Sequence, residues 1–360
     1  IAGVNAGNSI ASGGNYNVVV GDEAGTALTT GDHNVALGYA ALGTEDAHGY
    51  NTAIGGRSLY TLNAGADAYN TAVGYDSGRL ITTGTHNTLI GGLAGDAITT
   101  GDNNTAVGYT SLGANTTGED NVAVGREALL ENTTADGNTA LGNQTLRENT
   151  TGASNTAVGA AALYTNTTGA SNVAVGLGSL DANTTASGNN AIGHNALGAN
   201  TTGASNIAIG QQALTTNTTG ANNVAIGHVA LGDNTTASNN TAVGYLSLNA
   251  NTTGDRNVAM GSLALDANTT ADANTAVGYE ALTTNTTAEG NTAVGFGSLR
   301  LNTTGASNVA IGLNALNANT TAANNTAVGS SALVANTTGA SNVAIGNNAL
   351  DANTTGDSNI

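Results

Sequence analysis

The stretch Asn274-Thr275-Ala276-Val277-Gly278 opens a block of seventeen residues that ends at Gly290 and begins again at Asn291. The glycine that closes this pentad recurs from Gly74 to Gly346, which is 272 residues or sixteen steps of seventeen. A fixed period of this kind is the sequence signature of a repeat protein. We number each block from 1 to 17, starting at its first Asn.

The pentad predicts a β-strand in each block. β-Branched residues alternate with small ones, which is the period of a strand, and seventeen residues are too few for a pair of helices. At about 3.3 Å per residue the block makes a loop of roughly 55 Å, enough for one flattened coil of two or three short strands. We therefore predict an all-β parallel β-solenoid of about 21 coils, one for each glycine at position 5.

The repeat has two stretches of different regularity. Residues 1–103 form irregular N-terminal coils, in which the spacing from Gly55 to Gly74 is nineteen and the two extra residues near positions 63–69 predict a bulged turn. Residues 104–360 form the regular part of the same solenoid. In the irregular part Gly78 and Gly95 stand in the column that is Leu further on.

Two apolar columns are predicted to form the core. Position 4 is apolar in every regular block, and position 2 is expected to face the same way because it lies two residues away. Position 5 requires Gly for a turn that a Cβ would block, and the Asn at position 1 is expected to form a ladder of side-chain amides. The second column is the Leu at position 9: Leu112, Leu129, Leu146, Leu163, Leu180, Leu197, Leu214, Leu231, Leu248, Leu265, Leu282, Leu299, Leu316, Leu333 and Leu350.

Positions 15 and 2 vary together. Where position 15 is Ala, as at Ala288, the next position 2 is polar, as at Thr292; where it is Gly, as at Gly169, position 2 is Val or Ile in eight of nine blocks. We hypothesise that Ala changes the turn and frees a backbone group, which the Thr hydroxyl then satisfies.

The charge of the chain restricts its partners. Six Arg against 24 acidic residues leave a net charge of −18, and there is no Cys. Nucleic acid is not expected as a partner, since its binding needs clustered cations. No apolar run is long enough to cross a bilayer, so direct membrane insertion is not expected either. We predict no cofactor, with weak calcium binding at acidic turns such as residues 118–121 as a side alternative.

The pentads Asn206–Gly210, Asn223–Gly227 and Asn342–Gly346 resemble the head repeats of trimeric autotransporter adhesins, whose coils carry a similar N-x-[AV]-[IV]-G core. Similar repeats occur in bacteriophage tail fibres. The resemblance implies a left-handed parallel β-roll with three chains to a head. This chain departs from the family in its longer unit of seventeen residues and in lacking a heptad stalk and a membrane-anchor barrel.

The Asn-Thr-Thr motif at positions 12–14 supplies N-x-T acceptors, which predict a stripe of glycans; the alternative is that these residues serve ladders and turns. A further alternative is ice binding by stacked Thr, although alternation lets only one Thr per coil point outward. The candidate glycosylation sites are Asn115, Asn132, Asn149, Asn166, Asn183, Asn200, Asn217, Asn234, Asn251, Asn268, Asn285, Asn302, Asn319, Asn336 and Asn353.

Aromatic and ionisable residues give little sign of chemistry. Six aromatic residues occupy position 6 and are expected to be scattered surface residues or contacts for sugars or a partner chain: Tyr39, Tyr75, Tyr109, Tyr245, Tyr279 and Phe296. The five His fall at variable positions without a matched nucleophile or carboxylate. We therefore predict no catalytic residues, no metal site and no enzyme activity.

The two termini together complete a pentad. Asn359-Ile360 followed by Ile1-Ala2-Gly3 keeps the seventeen-residue spacing, which predicts a filament joint between copies; the alternative is a segment of a longer array. The leading hypothesis is a non-enzymatic subunit of an extracellular or cell-surface fibre, an adhesin-like rod whose partners are copies of itself, stacked head to tail or as a trimer, and surface glycans. The alternatives are a glycan- or ice-binding solenoid module and the shaft of a virion tail fibre.

Overall fold

A computed structural model describes residues 3–360, so Ile1 and Ala2 of the proposed filament joint lie outside the described residues. The described chain is all-β, without a helix, and each strand has three residues. It forms a parallel β-solenoid with seventeen-residue spacing, and its 20 strands are close to the 21 coils expected. It divides into two compact units, which meet in sequence at Thr185 and Ala186. The change from irregular to regular repeats after residue 103 falls within the first unit.

In the first unit each strand pairs in parallel with the strand of the next coil. The register is seventeen residues except that Thr52 pairs with Thr71, which confirms that two extra residues leave the coil in the turn between these strands. The strands are β1 (Val18–Val20), β2 (Val35–Leu37), β3 (Thr52–Ile54), β4 (Thr71–Val73), β5 (Thr88–Ile90), β6 (Thr105–Val107), β7 (Val122–Val124), β8 (Thr139–Leu141), β9 (Thr156–Val158) and β10 (Val173–Val175).

The second unit repeats this arrangement in regular seventeen-residue register, for example with Ala276 beside Ala293. Its strands are β11 (Asn190–Ile192), β12 (Ile207–Ile209), β13 (Val224–Ile226), β14 (Thr241–Val243), β15 (Val258–Met260), β16 (Thr275–Val277), β17 (Thr292–Val294), β18 (Val309–Ile311), β19 (Thr326–Val328) and β20 (Val343–Ile345).

Each coil has one strand, at positions 2–4, rather than the two or three expected. Turns occupy the rest of the coil and are joined to neighbouring coils by further backbone hydrogen bonds. The Leu112 amide donates to the Ala128 carbonyl at 2.9 Å and the Thr116 amide to the Thr133 carbonyl at 2.8 Å. The turn backbone therefore satisfies its polar groups between coils much as a strand does.

The predicted core is half right. The Leu at position 9 is fully buried from Leu112 to Leu333, whereas Leu350, in the last coil, is half-buried. The prediction for position 4 is wrong, because none of its side chains is buried: Val107 is half-buried, Met260 is 44% exposed and Ile345, in the last strand, is 72% exposed. The Ala at position 3 points inward in their place, because residues 2 and 4 share the opposite face of the strand.

The narrow interior explains which residue types fill it. Besides Leu, the buried positions hold Asn at 1 and 12, Ala at 3, Ala, Ser or Thr at 8, and Gly or Ala at 15. Position 5 needs Gly, as predicted: Gly108 has a φ of +140°, and a Cβ there would overlap the carbonyl oxygen of Gly125. Position 3 holds a side chain larger than Ala only where position 9 is Gly, as at Val19 beside Gly25 and Leu89 beside Gly95.

Ala and Gly at position 15 make the same carbonyl hydrogen bonds. The carbonyl oxygen of Ala288 accepts hydrogen bonds from Asn274 and Asn285 at 2.9 and 3.0 Å. The carbonyl oxygen of Gly220 accepts from the corresponding Asn206 and Asn217, both at 2.9 Å. The amide at position 14 differs, because beside Gly220 the Thr219 amide donates to the Thr235 carbonyl at 3.3 Å, whereas the Thr287 amide beside Ala288 makes no such bond. The Thr292 hydroxyl is not bonded to that amide, so the role assigned to the Thr at position 2 is not observed.

Candidate functional site

The outward side chains of the strands form a continuous surface in each unit, which we call the strand face and define as positions 2 and 4 of every coil. Exposed members include Leu141 at 47%, Ile192 at 41% and Ile311 at 39%. Parallel pairing places equivalent residues one above the other, for example Ile209 beside Ile226. The face is therefore a regular pair of columns of Val, Ile and Thr.

The strand face carries no charge. The chain has 30 charged side chains, yet positions 2 and 4 hold none of them in any coil. Ten strands spaced about 4.8 Å apart, with two columns of side chains, give each unit roughly 450 Å² of such surface. The apolar part of this surface is mainly the column at position 4, because position 2 is Thr or Asn in eleven of the twenty strands. Apolar patches of a few hundred Å² on soluble monomers are often functional.

The asparagines at position 12 form the side-chain amide ladder that was predicted for position 1. The Asn132 Nδ2 donates to Asn115 Oδ1 at 2.9 Å and to the Ala135 carbonyl at 3.1 Å. At position 1 the side chains bond mainly the backbone: Asn104 Oδ1 accepts from the backbone N–H of Asn121 at 3.1 Å, and Asn104 Nδ2 donates to the Gly118 carbonyl at 2.9 Å. A longer side-chain bond from Asn121 Nδ2 to Asn104 Oδ1, at 3.3 Å, shows that this column also forms part of the predicted ladder. Side chains of both columns thus donate hydrogen bonds to the carbonyl at position 15 and hold the turn there in place.

This ladder argues against the predicted stripe of glycans. The fourteen candidates from Asn115 to Asn336 are 0% exposed, and Asn353, in the last coil, is half-buried. An N-linked glycan replaces one hydrogen of Nδ2, and at Asn132 both hydrogens are already bonded inside the coil. The alternative, that these asparagines serve ladders and turns, accounts for their repetition.

The two Thr that follow have different surroundings, as alternation predicted. The Thr116 hydroxyl donates to the Thr133 carbonyl at 3.0 Å and is half-buried, whereas Thr117 is exposed. One outward Thr row therefore runs along position 14. The single row offers no matched second row for ice binding.

Position 6 carries exposed aromatic rings, some of which stack on a neighbour. Tyr109 is 56% exposed, and Tyr279 stacks on Phe296 with ring centroids 5.4 Å apart. His228 likewise stacks on Tyr245 at 5.7 Å. These residues form short aromatic runs on the surface of the coils.

A longer aromatic column was missed by the sequence analysis. Five rings at position 17 stack one on another, with centroids 4.8, 4.9, 4.9 and 5.4 Å apart. The signal lay in the sequence, since each ring immediately precedes the Asn at position 1. The five residues are Tyr16, His33, Tyr50, Tyr69 and His86.

Many acidic side chains have a structural role in the turns. At position 16 an Asp carboxylate accepts the amide of the preceding coil, as Asp136 does from Glu119 at 2.8 Å and Asp272 from Asp255 at 2.8 Å. The acidic turn at residues 118–121 thus has one amide committed to the next coil. Weak calcium binding there stays a prediction.

One cluster in residues 3–360 brings together three side chains of metal-ligand type, Glu45, Asp46 and His48. Glu45 occupies position 12, is fully buried, and accepts the amides of Asp46 and His48 at 3.1 Å each and that of Ala64 at 3.3 Å. Burial raises the pKa of the Glu45 carboxyl. These bonds give Glu45 the turn-closing role that Asn has in the regular coils.

The described residues contain no helix with the length and apolar character needed to cross a bilayer. Comparison with models of known protein families, and with curated proteins, finds no match to this chain.

Proposed function

We propose that the chain is a non-enzymatic structural subunit of an extracellular or cell-surface fibre, assembled from copies of itself. The observation that carries this proposal is the strand face, an uncharged surface of β-branched side chains on a chain with a net charge of −18. Such a surface is unfavourable in water and is favourable when covered. A second copy offers the same columns at the same coil spacing, so the two faces match along their length.

The size of the strand face fits this role. A stable interface uses about 800 Å² from each partner, and one unit supplies over half of that from its strand face. Acidic side chains lie at other positions of the coil, where they repel unrelated contacts without entering this interface. The extracellular placement is supported by the resemblance of the repeats alone, and the joint between Asn359-Ile360 and Ile1-Ala2-Gly3 stays a prediction.

The test places charge on the strand face. The variant Ile209→Lys/Ile311→Lys puts two ammonium groups on it without touching the interior, and Thr219→Lys/Thr321→Lys makes the same charge change on the exposed Thr row. We expect sedimentation velocity to show oligomers for the wild type and the Thr variant and a monomer for the Ile variant. A wild type that stays monomeric at every concentration, or an Ile variant that assembles like it, overturns the proposal.

A glycan-binding module is the second candidate, because one cavity in the irregular coils combines aromatic and polar side chains. Its geometry does not depend on assembly through the strand face.

A further inference from the structure

Position 6 of the irregular coils alternates between Tyr and Gly. Tyr39, Gly56, Tyr75, Gly92 and Tyr109 follow one another in successive coils. A Cβ at Gly56 would lie 3.4 Å from Cδ2 of Tyr75, so the Tyr75 ring leans over the glycine below it. Since each coil adds about 4.8 Å, Tyr39 and Tyr75 are about 10 Å apart along the stack, with no side chain at position 6 between them.

A cavity of about 490 Å³ opens at this gap and is lined by Glu23, Tyr39, Ala40, Arg57, Tyr60 and Tyr75. Its volume lies within the range of ordinary small-molecule sites. Tyr39 is 55% exposed, which leaves its aromatic surface open to a ligand, whereas the Arg57 guanidinium lies over the Tyr75 ring. The cavity thus has an aromatic wall at Tyr39 and a second wall at Tyr75 that carries the Arg57 guanidinium.

The polar groups of the cavity are held in place by neighbouring side chains. The Arg57 guanidinium donates to Asp76 Oδ2 at 2.6 Å and to the Tyr75 hydroxyl, and its Cζ lies 5.1 Å from the centroid of the Tyr75 ring. Glu23 lies beside Tyr39, where the charge and hydrogen bonding of its carboxylate raise the pKa of that phenol. Donors and acceptors therefore stand on opposite sides of the gap.

These groups discriminate between ligand classes. Three Tyr and a carboxylate would suit a quaternary ammonium ion, but Arg57 already occupies the cation position over Tyr75. An anionic ligand would meet Glu23 together with Asp76, which already pairs with Arg57. A neutral ring with an apolar face and several hydroxyls fits best: its apolar face contacts the Tyr39 ring while its hydroxyls donate to Glu23 and accept from Arg57.

We propose that the cavity between Tyr39 and Tyr75 is a binding site for a neutral hexopyranose unit of a polysaccharide. The neighbouring gap between Tyr75 and Tyr109 lacks the polar groups, because Leu93 stands at the position that Arg57 occupies in the first gap. The site is therefore expected at one gap rather than along the whole chain. This inference does not depend on the proposed fibre assembly.

The test fills the gap without removing any binding group. Gly56 does not have a positive φ and a Cβ there meets ordinary contact, so Gly56→Leu is expected to fold and to occupy the cavity. Gly92→Leu makes the same change in the neighbouring gap, where a Cβ would lie 3.7 Å from Tyr109 Cδ2. Tyr39→Ala removes an aromatic wall, and Tyr245→Ala removes an equally exposed ring elsewhere.

Binding is measured by affinity electrophoresis in gels containing soluble glucan, mannan, galactan or chitin oligosaccharide, with melting curves to show that each variant folds. We expect retardation of the wild type by at least one of these neutral saccharides, about tenfold weaker binding for Gly56→Leu and Tyr39→Ala, and wild-type binding for Gly92→Leu and Tyr245→Ala. Absence of retardation in all four gels overturns the proposal, as does equal binding by Gly56→Leu. Release of the saccharide by choline would instead assign the cavity to a cation and would also overturn it.

Discussion

Nδ2 of Asn132 lies 2.9 Å from Oδ1 of Asn115 in the preceding coil, and both side chains are fully buried. Each amide of this column donates upstream and accepts from downstream. The column therefore works as a polar core, beside the apolar column of Leu, and it closes the turn at position 15 in every regular coil. Buried polar networks of this kind are stabilising only while every member is satisfied.

The first prediction removes one donor from this column. Asn132→Asp replaces the amide by an acceptor-only group facing two oxygen atoms, Asn115 Oδ1 and the Ala135 carbonyl oxygen. We expect the free energy of unfolding to fall by about 2–4 kcal/mol, measured by guanidinium denaturation followed by circular dichroism. Asn143→Asp is the matched control, because Asn143 is exposed and its Oδ1 accepts from Arg126. Equal midpoints for the two variants would contradict the role given to the ladder.

The second prediction concerns covalent modification. Folded protein secreted from a host with N-glycosylation is expected to have the mass of the bare polypeptide, 34.8 kDa, because the acceptor nitrogens are inside the coil. Intact-mass spectrometry measures this directly. A larger mass that returns to the bare value on treatment with a glycan-removing amidase would show that the coil accommodates sugars at position 12.

The third prediction follows from a compensation in the irregular coils. Where position 9 is Gly, position 12 is Leu or Ile: a Cβ at Gly95 would lie 2.8 Å from Ile98 Cδ1 and 2.8 Å from Leu89 Cδ2. Gly95→Leu is therefore expected to destabilise the unit by about 1–3 kcal/mol through overpacking. The triple variant Leu89→Ala/Gly95→Leu/Ile98→Asn gives this coil the residues of a regular coil at positions 3, 9 and 12. It is expected to recover most of the lost stability, as measured by thermal melting. A triple variant as unstable as the single one would show that the two patterns are not alternatives.

The seventeen-residue period was enough to predict the solenoid, the inter-coil register and the burial of Leu at position 9, because these depend only on stacking equivalent residues. It was not enough to determine which face of the strand points into the interior. Apolar Val107 and Ile209 favour the interior by hydrophobicity, but a shift of one residue exchanges the two faces of a strand. The space in the interior decides which face points inward, because position 3 is larger than Ala only where position 9 is Gly, as at Leu89 beside Gly95.

The candidate sites were harder to predict for a related reason. An N-x-T acceptor has the same sequence whether its Asn is exposed or buried, so the sequence leaves open whether Asn115 accepts a glycan or serves a turn, and the structure shows its amide closing a turn. The cavity at Tyr39 depends on Gly56 and Arg57 in the next coil and on Glu23 in the preceding coil. Residues about seventeen apart in the sequence become neighbours only after the coils are stacked.

The last prediction uses the half-buried aspartates at position 10. Burial raises the pKa of Asp96, Asp181 and Asp266 above the usual value. The folded state then binds protons more readily than the unfolded state, so the contribution of these groups to stability is full below the ordinary pKa and is lost as the pH rises through the folded pKa. Asp181→Asn, which places at position 10 the residue type found at Asn249 and Asn317, removes one such group.

We therefore expect Asp181→Asn to gain stability over the wild type near pH 7 and to lose that advantage on acidification towards pH 4, as measured by urea denaturation at each pH. Asp120→Asn is the control, since Asp120 is exposed at position 17, where Asn103 stands in the preceding coil. The difference between its urea midpoint and that of the wild type should stay the same at every pH. If the urea midpoint of the Asp181 variant also differed from the wild type by the same amount at every pH, the desolvation of position 10 would be too weak to affect folding. The acidic side chains of this column would then be no more than solvated surface groups.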